Sequence, residues 1–176
     1  MTHECECCLM LRFRDLVTEP GGNIAEHQKI IRQQGGAWWG WWSRQREHVP
    51  RITLERLFGE LRLKVPILLF DSGMTFLYIT YADRAIVAPS LIGINSPDFE
   101  ATPDYYVRGR YFVWFHFCEE IQALVSQNID VIARPSIDED VGLVAPIVDS
   151  PVAEMSLDDL REEPATMWVT RYPRSI

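Results

Sequence analysis

The residues best suited to chemistry lie in AWWGWW, Ala37 to Trp42, where four of the six tryptophans fall in five positions around Gly40 and Arg44 and Arg46 follow closely. Indole rings stack on flat π-systems and attract cations, and guanidinium groups meet phosphate through paired N–H donors. If this stretch is a strand, Trp39 and Trp41 share one face and Trp38 and Trp42 the other. At about 3.3 Å per residue, the Cβ atoms of Trp38 and Trp42 stand about 13 Å apart over a bare backbone floor at Gly40. A planar group fits such a notch. The same pattern also suits a core strand with its indoles packed beneath helices on both sides.

A second aromatic concentration lies in TPDYYVRGRYFVWFHF, with Tyr105, Tyr106, Tyr111, Trp114 and His116. As a strand from Tyr111, it places Tyr111, Val113, Phe115 and Phe117 on a core face. Phe112, Trp114, His116 and Cys118 lie opposite, as a pocket wall or a covered layer. The candidate ligand-binding set is therefore Trp38, Trp39, Trp41, Trp42, Arg44, Arg46, Tyr105, Tyr106 and Trp114. Trp38 and Trp42 are the expected stacking walls, and Arg44 and Arg46 the phosphate contacts.

Catalytic patterns are not found. The chain has no glycine-rich phosphate loop, nucleophile elbow or HExxH, and no deaminase pairing of H-x-E with P-C-x-x-C. His116 and Cys118, two residues apart, have the raw material of a thiolate pair but no identifiable orienting partner in the sequence. HECECC brings His3, Cys5, Cys7 and Cys8 together without the CxxC knuckle of structural zinc, so the cysteines read as small apolar residues of an edge strand. Asp71 and Asp83 suit turn hydrogen bonds better than a metal. No catalytic residue, metal or cofactor is assigned.

These groups need elements to hold them. The odd positions Cys5, Cys7, Leu9, Leu11 and Phe13 are all apolar while Glu6, Arg12 and Arg14 fall at even ones, which predicts a strand. NIAEHQKIIRQQGG predicts a helix, with Asn23 as cap, Glu26 returning the bond and Gly35 or Gly36 as the stop. RITLERLFGEL predicts a second helix capped by Thr53. VPILLFDSGMTFLYITY reads as a hairpin turning at Asp71-Ser72-Gly73, followed by a short strand near 85–88. YYVRGRYFVWFHF reads as another hairpin, turning at Arg108-Gly109. EEIQALVSQN reads as a helix, Ser156 caps a further short one, and TMWVTRY predicts a last strand. The expected architecture is α+β: a mixed or antiparallel sheet curled toward a barrel, with about four flanking helices. The whole chain, 1–176, is expected to form a single domain, within which 134–164 is acidic and loop-rich.

The formal net charge of -8 excludes a generally basic nucleic-acid-binding surface. The distribution is uneven, however. Lys29 to Lys64 holds eight basic residues against three acids and contains the tryptophans, whereas Ser136 to Glu163 holds nine acids and one base. The acidic stretch is a solvated face, one that can meet a basic protein partner. No apolar run approaches the roughly 20 residues of a membrane span, and the N-terminus lacks signal-peptide order. A cytoplasmic protein with reduced thiols, no membrane partner and no cofactor is expected.

The order strand, helix, tryptophan-bearing strand, short helix, hairpin and further strands resembles the PUA-like β-barrel superfamily, in particular its EVE, YTH and ASCH branches. Trp38 to Trp42, Arg44, Arg46 and the PILLFD hairpin carry the likeness, over about residues 5 to 120. It implies an aromatic cage for a nucleobase beside a basic groove. The acidity and the CECC strand depart from that pattern. The leading expectation is a non-enzymatic recognition module for a nucleobase, nucleotide or nucleic acid. The alternative is a protein-interaction or scaffold domain in a larger complex, with the aromatic residues as core.

Overall fold

A computed structural model describes residues 7–15, 18–43, 47–59, 64–90, 92–106, 108–124, 128–133 and 153–171. Two sequences in it read as unbroken apolar runs, CCLML and PILLF, and both form strands buried on two faces. They are β1 (Cys7–Phe13) and β3 (Val65–Asp71), and they pair in parallel at the centre of the sheet. β4 (Phe76–Val87) runs antiparallel to β3, β5 (Val113–Phe117) to β4, and β2 (Ala37–Trp41) to β5. On the other side of β1 follow β9 (Met167–Arg171), β7 (Asn128–Ala133) and β8 (Ala153–Ser156).

The order β2-β5-β4-β3-β1-β9-β7-β8 is linear, and no pairing among the described strands closes it. The sheet is therefore mixed but open, where curling toward a barrel was expected. One face packs against α1 (Gly22–Gln34) and α2 (Arg51–Gly59), so that Ile24, Ile30, Ile31, Leu54 and Leu57 join Leu9, Leu11, Ile67 and Leu69 in the larger core. The opposite face buries Met10, Leu68, Phe70 and Trp168 with Leu157 and Leu160 of α3 (Leu157–Glu162). Burial of each such leucine or isoleucine contributes about 1.5–3 kcal/mol.

Several local expectations need correction. Asn23 lies inside α1 and is buried; the carboxylate of Asp15 takes the capping role, accepting from Gly21 N at 2.7 Å and Asn23 N at 3.0 Å. Gly35 ends α1 in the left-handed conformation as expected. α2 starts at Arg51, so Thr53 is internal to it. The strand expected near 85–88 is the end of β4, continued past an irregularity between Ala82 and Arg84.

Three α-helices occur among the described residues, one fewer than the four expected, because the described residues of EEIQALVSQN, 119–124 and 128, are not helical. β5 covers only the second half of the long β4, leaving Leu77–Ile79 open on that edge, and β6 (Gln122–Leu124) pairs there. Gln28 fixes the approach, donating from Nε2 to Ile121 O at 2.6 Å and accepting from Ile121 N at 2.9 Å. Tertiary hydrogen bonding and burial of Ile121 override the helical period. Ser156 does cap α3, in a capping box with Asp159.

Cys7 is disulfide-bonded, which corrects the expectation of reduced thiols throughout, while Cys118 is a free thiol and the Cys8 Sγ lies 2.9 Å from Thr170 Oγ1. His3 and Cys5 lie outside the described residues, as does the acidic stretch up to Val152. Among the described residues no helix is long and apolar enough to cross a membrane.

Candidate nucleobase-binding cavity

β2 and β5 pair so that Trp38 faces His116, Trp39 faces Phe115, Gly40 faces Trp114 and Trp41 faces Val113. The alternation read from the sequence holds on β5, where Val113, Phe115 and Phe117 are fully buried in the larger core. Trp39 belongs to that side, against Phe13, His27 and Phe117. Trp41 is also buried and donates its indole N–H to Thr166 Oγ1 at 3.0 Å. The Glu47 carboxylate holds the same threonine, accepting from its N–H and its hydroxyl.

On the opposite side, Trp38 is covered by the Arg84 guanidinium, 5.1 Å from its ring, and flanked by His116. The notch expected over Gly40 is filled by the protein itself: a Cβ there falls 2.8 Å from Tyr111 Cγ and 2.9 Å from Trp114 Cζ3. Only Trp42 reaches solvent. It is 50% exposed and stacks on Phe112 at 4.3 Å with 19° between the planes. Arg44 and Arg46 lie outside the described residues.

The segment joining β4 to β5 covers this side. It was expected to be half a hairpin, but Asp104–Tyr106 forms a 3-10 turn, and Arg108 adopts a positive φ beyond it. Pro103 fixes the turn, whose Tyr106 N–H bonds back to the Pro103 carbonyl. Trp38 N donates to Ala101 O, Gly40 N donates to the Tyr106 hydroxyl at 3.1 Å, and Ile94 and Tyr111 exchange both backbone bonds. Trp114 donates its indole N–H to Ile94 O at 2.9 Å.

Between this segment and β5 lies a cavity of about 310 Å³. Tyr106 and Trp114 line it, their rings packed edge to face at 5.2 Å. Phe99, Pro103, Asp104 and Arg108 also border it, with the Arg108 guanidinium 5.2 Å above the Phe99 ring. The buried hydroxyls of Ser96 and Thr102 bond to one another at its base. Of the residues singled out in the sequence, the structure brings Tyr106 and Trp114 to the cavity. Tyr105 is not among its lining residues and packs against Tyr106 with centroids 4.6 Å apart and the planes tilted by 34°. Phe99 and Arg108 were missed, because in NSPDFEATPDYYVRG they look like parts of a connection. A lone phenylalanine in so polar a stretch was the signal available in the sequence.

The Pua-like family model matches residues 9–174. The chain belongs to the Pua-like family. No curated protein and no solved structure matches it. Membership accounts for the mixed, sheet-dominated fold, and within this Pua-like chain the cavity is built largely from the β4–β5 connection.

The thiolate pair considered for His116 and Cys118 is not assembled. His116 Nδ1 bonds to Asp83 Oδ1 at 2.6 Å, which gives the imidazole a partner, but the Cys118 thiol donates to Tyr81 O. Burial, then the neighbouring Asp83, pushes that thiol up from its ordinary value. Asp71 serves its turn as expected, accepting from Gly73 N and Met74 N, while burial raises its carboxyl. Among the described residues no cluster of metal-ligating side chains occurs.

His27 supports the cavity from behind. It is wholly buried beside Trp39, Tyr105 and Tyr106, with Nδ1 2.7 Å from Asn23 O and Nε2 3.2 Å from Trp38 O. Burial lowers its pKa to about 4, so it is neutral near pH 7. The unfolded chain binds this proton below about pH 6.5 and the folded chain only below about pH 4. The contribution is therefore intact above pH 6.5 and lost as pH falls between these values, by up to about 3 kcal/mol. Urea unfolding of the protein and of His27→Gln, followed from pH 7.5 to 4, is expected to show a steeper loss in the unsubstituted protein. Parallel curves would contradict the buried neutral ring.

Proposed function

We propose that this Pua-like chain is a non-enzymatic recognition module that seats a nucleobase or nucleotide in the cavity bordered by Phe99, Tyr106, Arg108 and Trp114. The observation that carries the proposal is the convergence of aromatic rings, a carboxylate and a guanidinium on one pocket. Ligand pockets begin at about 300 Å³, and this one suits a single base with its sugar. The base slides over Phe99, Arg108 swings from that ring to phosphate, and Asp104 accepts from a base amino group. Arg44 and Arg46 follow Trp42 closely in the sequence and are proposed as phosphate contacts.

Calorimetric titration with the four 5′-mononucleotides tests the reading. At least one is expected to bind, with Phe99→Ala and Arg108→Ala each weakening it about 10-fold and added salt weakening the nucleotide more than its nucleoside. A protein that binds none of them at millimolar concentration overturns the proposal. It is then better read as a protein-interaction domain with an aromatic core.

A further inference from the structure

Trp42 is left over by the cavity. Its indole lies nearly parallel to Phe112 at 4.3 Å, so one face is covered and the ring is still 50% exposed. A tryptophan seldom presents a flat face to solvent on a rigid support without something to stack on it.

Its position relates it to the cavity. Tyr111 packs edge-on against Trp42 with centroids 6.2 Å apart, and the same ring lies 5.0 Å from both Tyr106 and Trp114. A continuous line of rings thus runs from the cavity floor to the exposed indole. Arg108 stands at the cavity and Arg110 immediately precedes Tyr111, and both are exposed. Neither forms an ion pair among the described residues. Two stacking surfaces joined through Tyr111, with one arginine lining the cavity and a second exposed beside Tyr111 in the chain, match two neighbouring bases and the phosphate that joins them.

We infer that Trp42 is a second stacking platform, holding the base next to the one in the cavity, so that the ligand is a single-stranded oligonucleotide rather than a free nucleotide. The inference rests on the cavity reading above. A flat, aromatic, positively flanked surface favours a nucleic-acid strand over a protein partner, which would ask for a broader apolar patch.

The test compares fluorescein-labelled homopolymeric tetranucleotides, read by anisotropy, with unlabelled mononucleotides, read by calorimetry. Trp42→Ala is expected to weaken the best tetranucleotide about 10-fold, the size of one lost base stack, and to leave mononucleotide affinity unchanged. Trp42→Phe restores most of the loss, and Arg110→Ala lowers the salt dependence of tetranucleotide binding by about one ion. A Trp42→Ala protein that holds the tetranucleotide within twofold of normal overturns the inference, leaving the cavity reading intact and the ring free for a protein partner. Equal weakening of both ligands also overturns it, because Trp42 then belongs to the first site. If the unsubstituted protein binds neither ligand, the cavity reading falls and the platform with it.

Discussion

Trp114→Ala is expected to lower the free energy of unfolding by about 3–5 kcal/mol, the range for deleting a large buried aromatic side chain. The ring is completely buried and joins two layers: beneath it lies Gly40, and beside it Tyr106 and Tyr111 at 5.2 and 5.0 Å. Its indole N–H is also the bond that ties β5 to Ile94 O. None of these neighbours can collapse into the space, because each is itself an element of the sheet or the covering segment. Urea unfolding checks this, the midpoint falling with the m-value unchanged. A loss below about 1 kcal/mol would mean that the ring does not bridge the two layers.

Gly93→Ala is expected to cost about 4 kcal/mol and to weaken nucleotide binding as well. Gly93 has φ 77°, a region that costs other residues about 1–2 kcal/mol. The added methyl group would also lie 2.8 Å from the Tyr111 carbonyl oxygen and 3.0 Å from its carbon. Backbone cannot rotate away as a side chain can, so the Ile94–Tyr111 pairing must open, and with it the seat of the cavity. Gly40→Ala is the informative comparison: the atoms nearest its methyl group belong to the Tyr111 and Trp114 rings, not to backbone, and a loss of about 1–3 kcal/mol is expected there. Thermal or urea unfolding of both variants, with a nucleotide titration of each, separates the effects. A Gly93→Ala protein no less stable than Gly40→Ala would contradict this account of the covering segment.

Strands and helices were legible where a local signal and a tertiary demand agreed. The strand at β1, the Gly35 stop, the turn at Asp71 and the Ser156 cap all depend on neighbours in sequence. The failures have other causes. Residues 119–128 carry a helical period, yet the open half of β4 and the Gln28 side chain offered them better hydrogen bonds from far along the chain. Asp15 displaced Asn23 as the cap of α1 from only six to eight residues away, reaching the helix start from just beyond β1.

The site was half visible. Aromatic type and spacing pointed to β2 and β5, of which only Trp114 lines the cavity, joined there by Tyr106 from the connection. Period two could not reveal that Tyr111 and Trp114 fill the space over Gly40, because that depends on the β4–β5 connection folding back across β2. The expected notch became core, and the cavity formed beside it from a segment that looked like a turn.

The most direct measurement is the shift of the indole N–H signals of the 15N-labelled protein on addition of the best-binding mononucleotide, with each signal assigned by Trp→Phe substitution. The account expects the Trp114 signal to move to a saturable limit while those of Trp41 and Trp168, buried away from the cavity, stay in place. A Trp114 signal that stays fixed while the nucleotide demonstrably binds would contradict it.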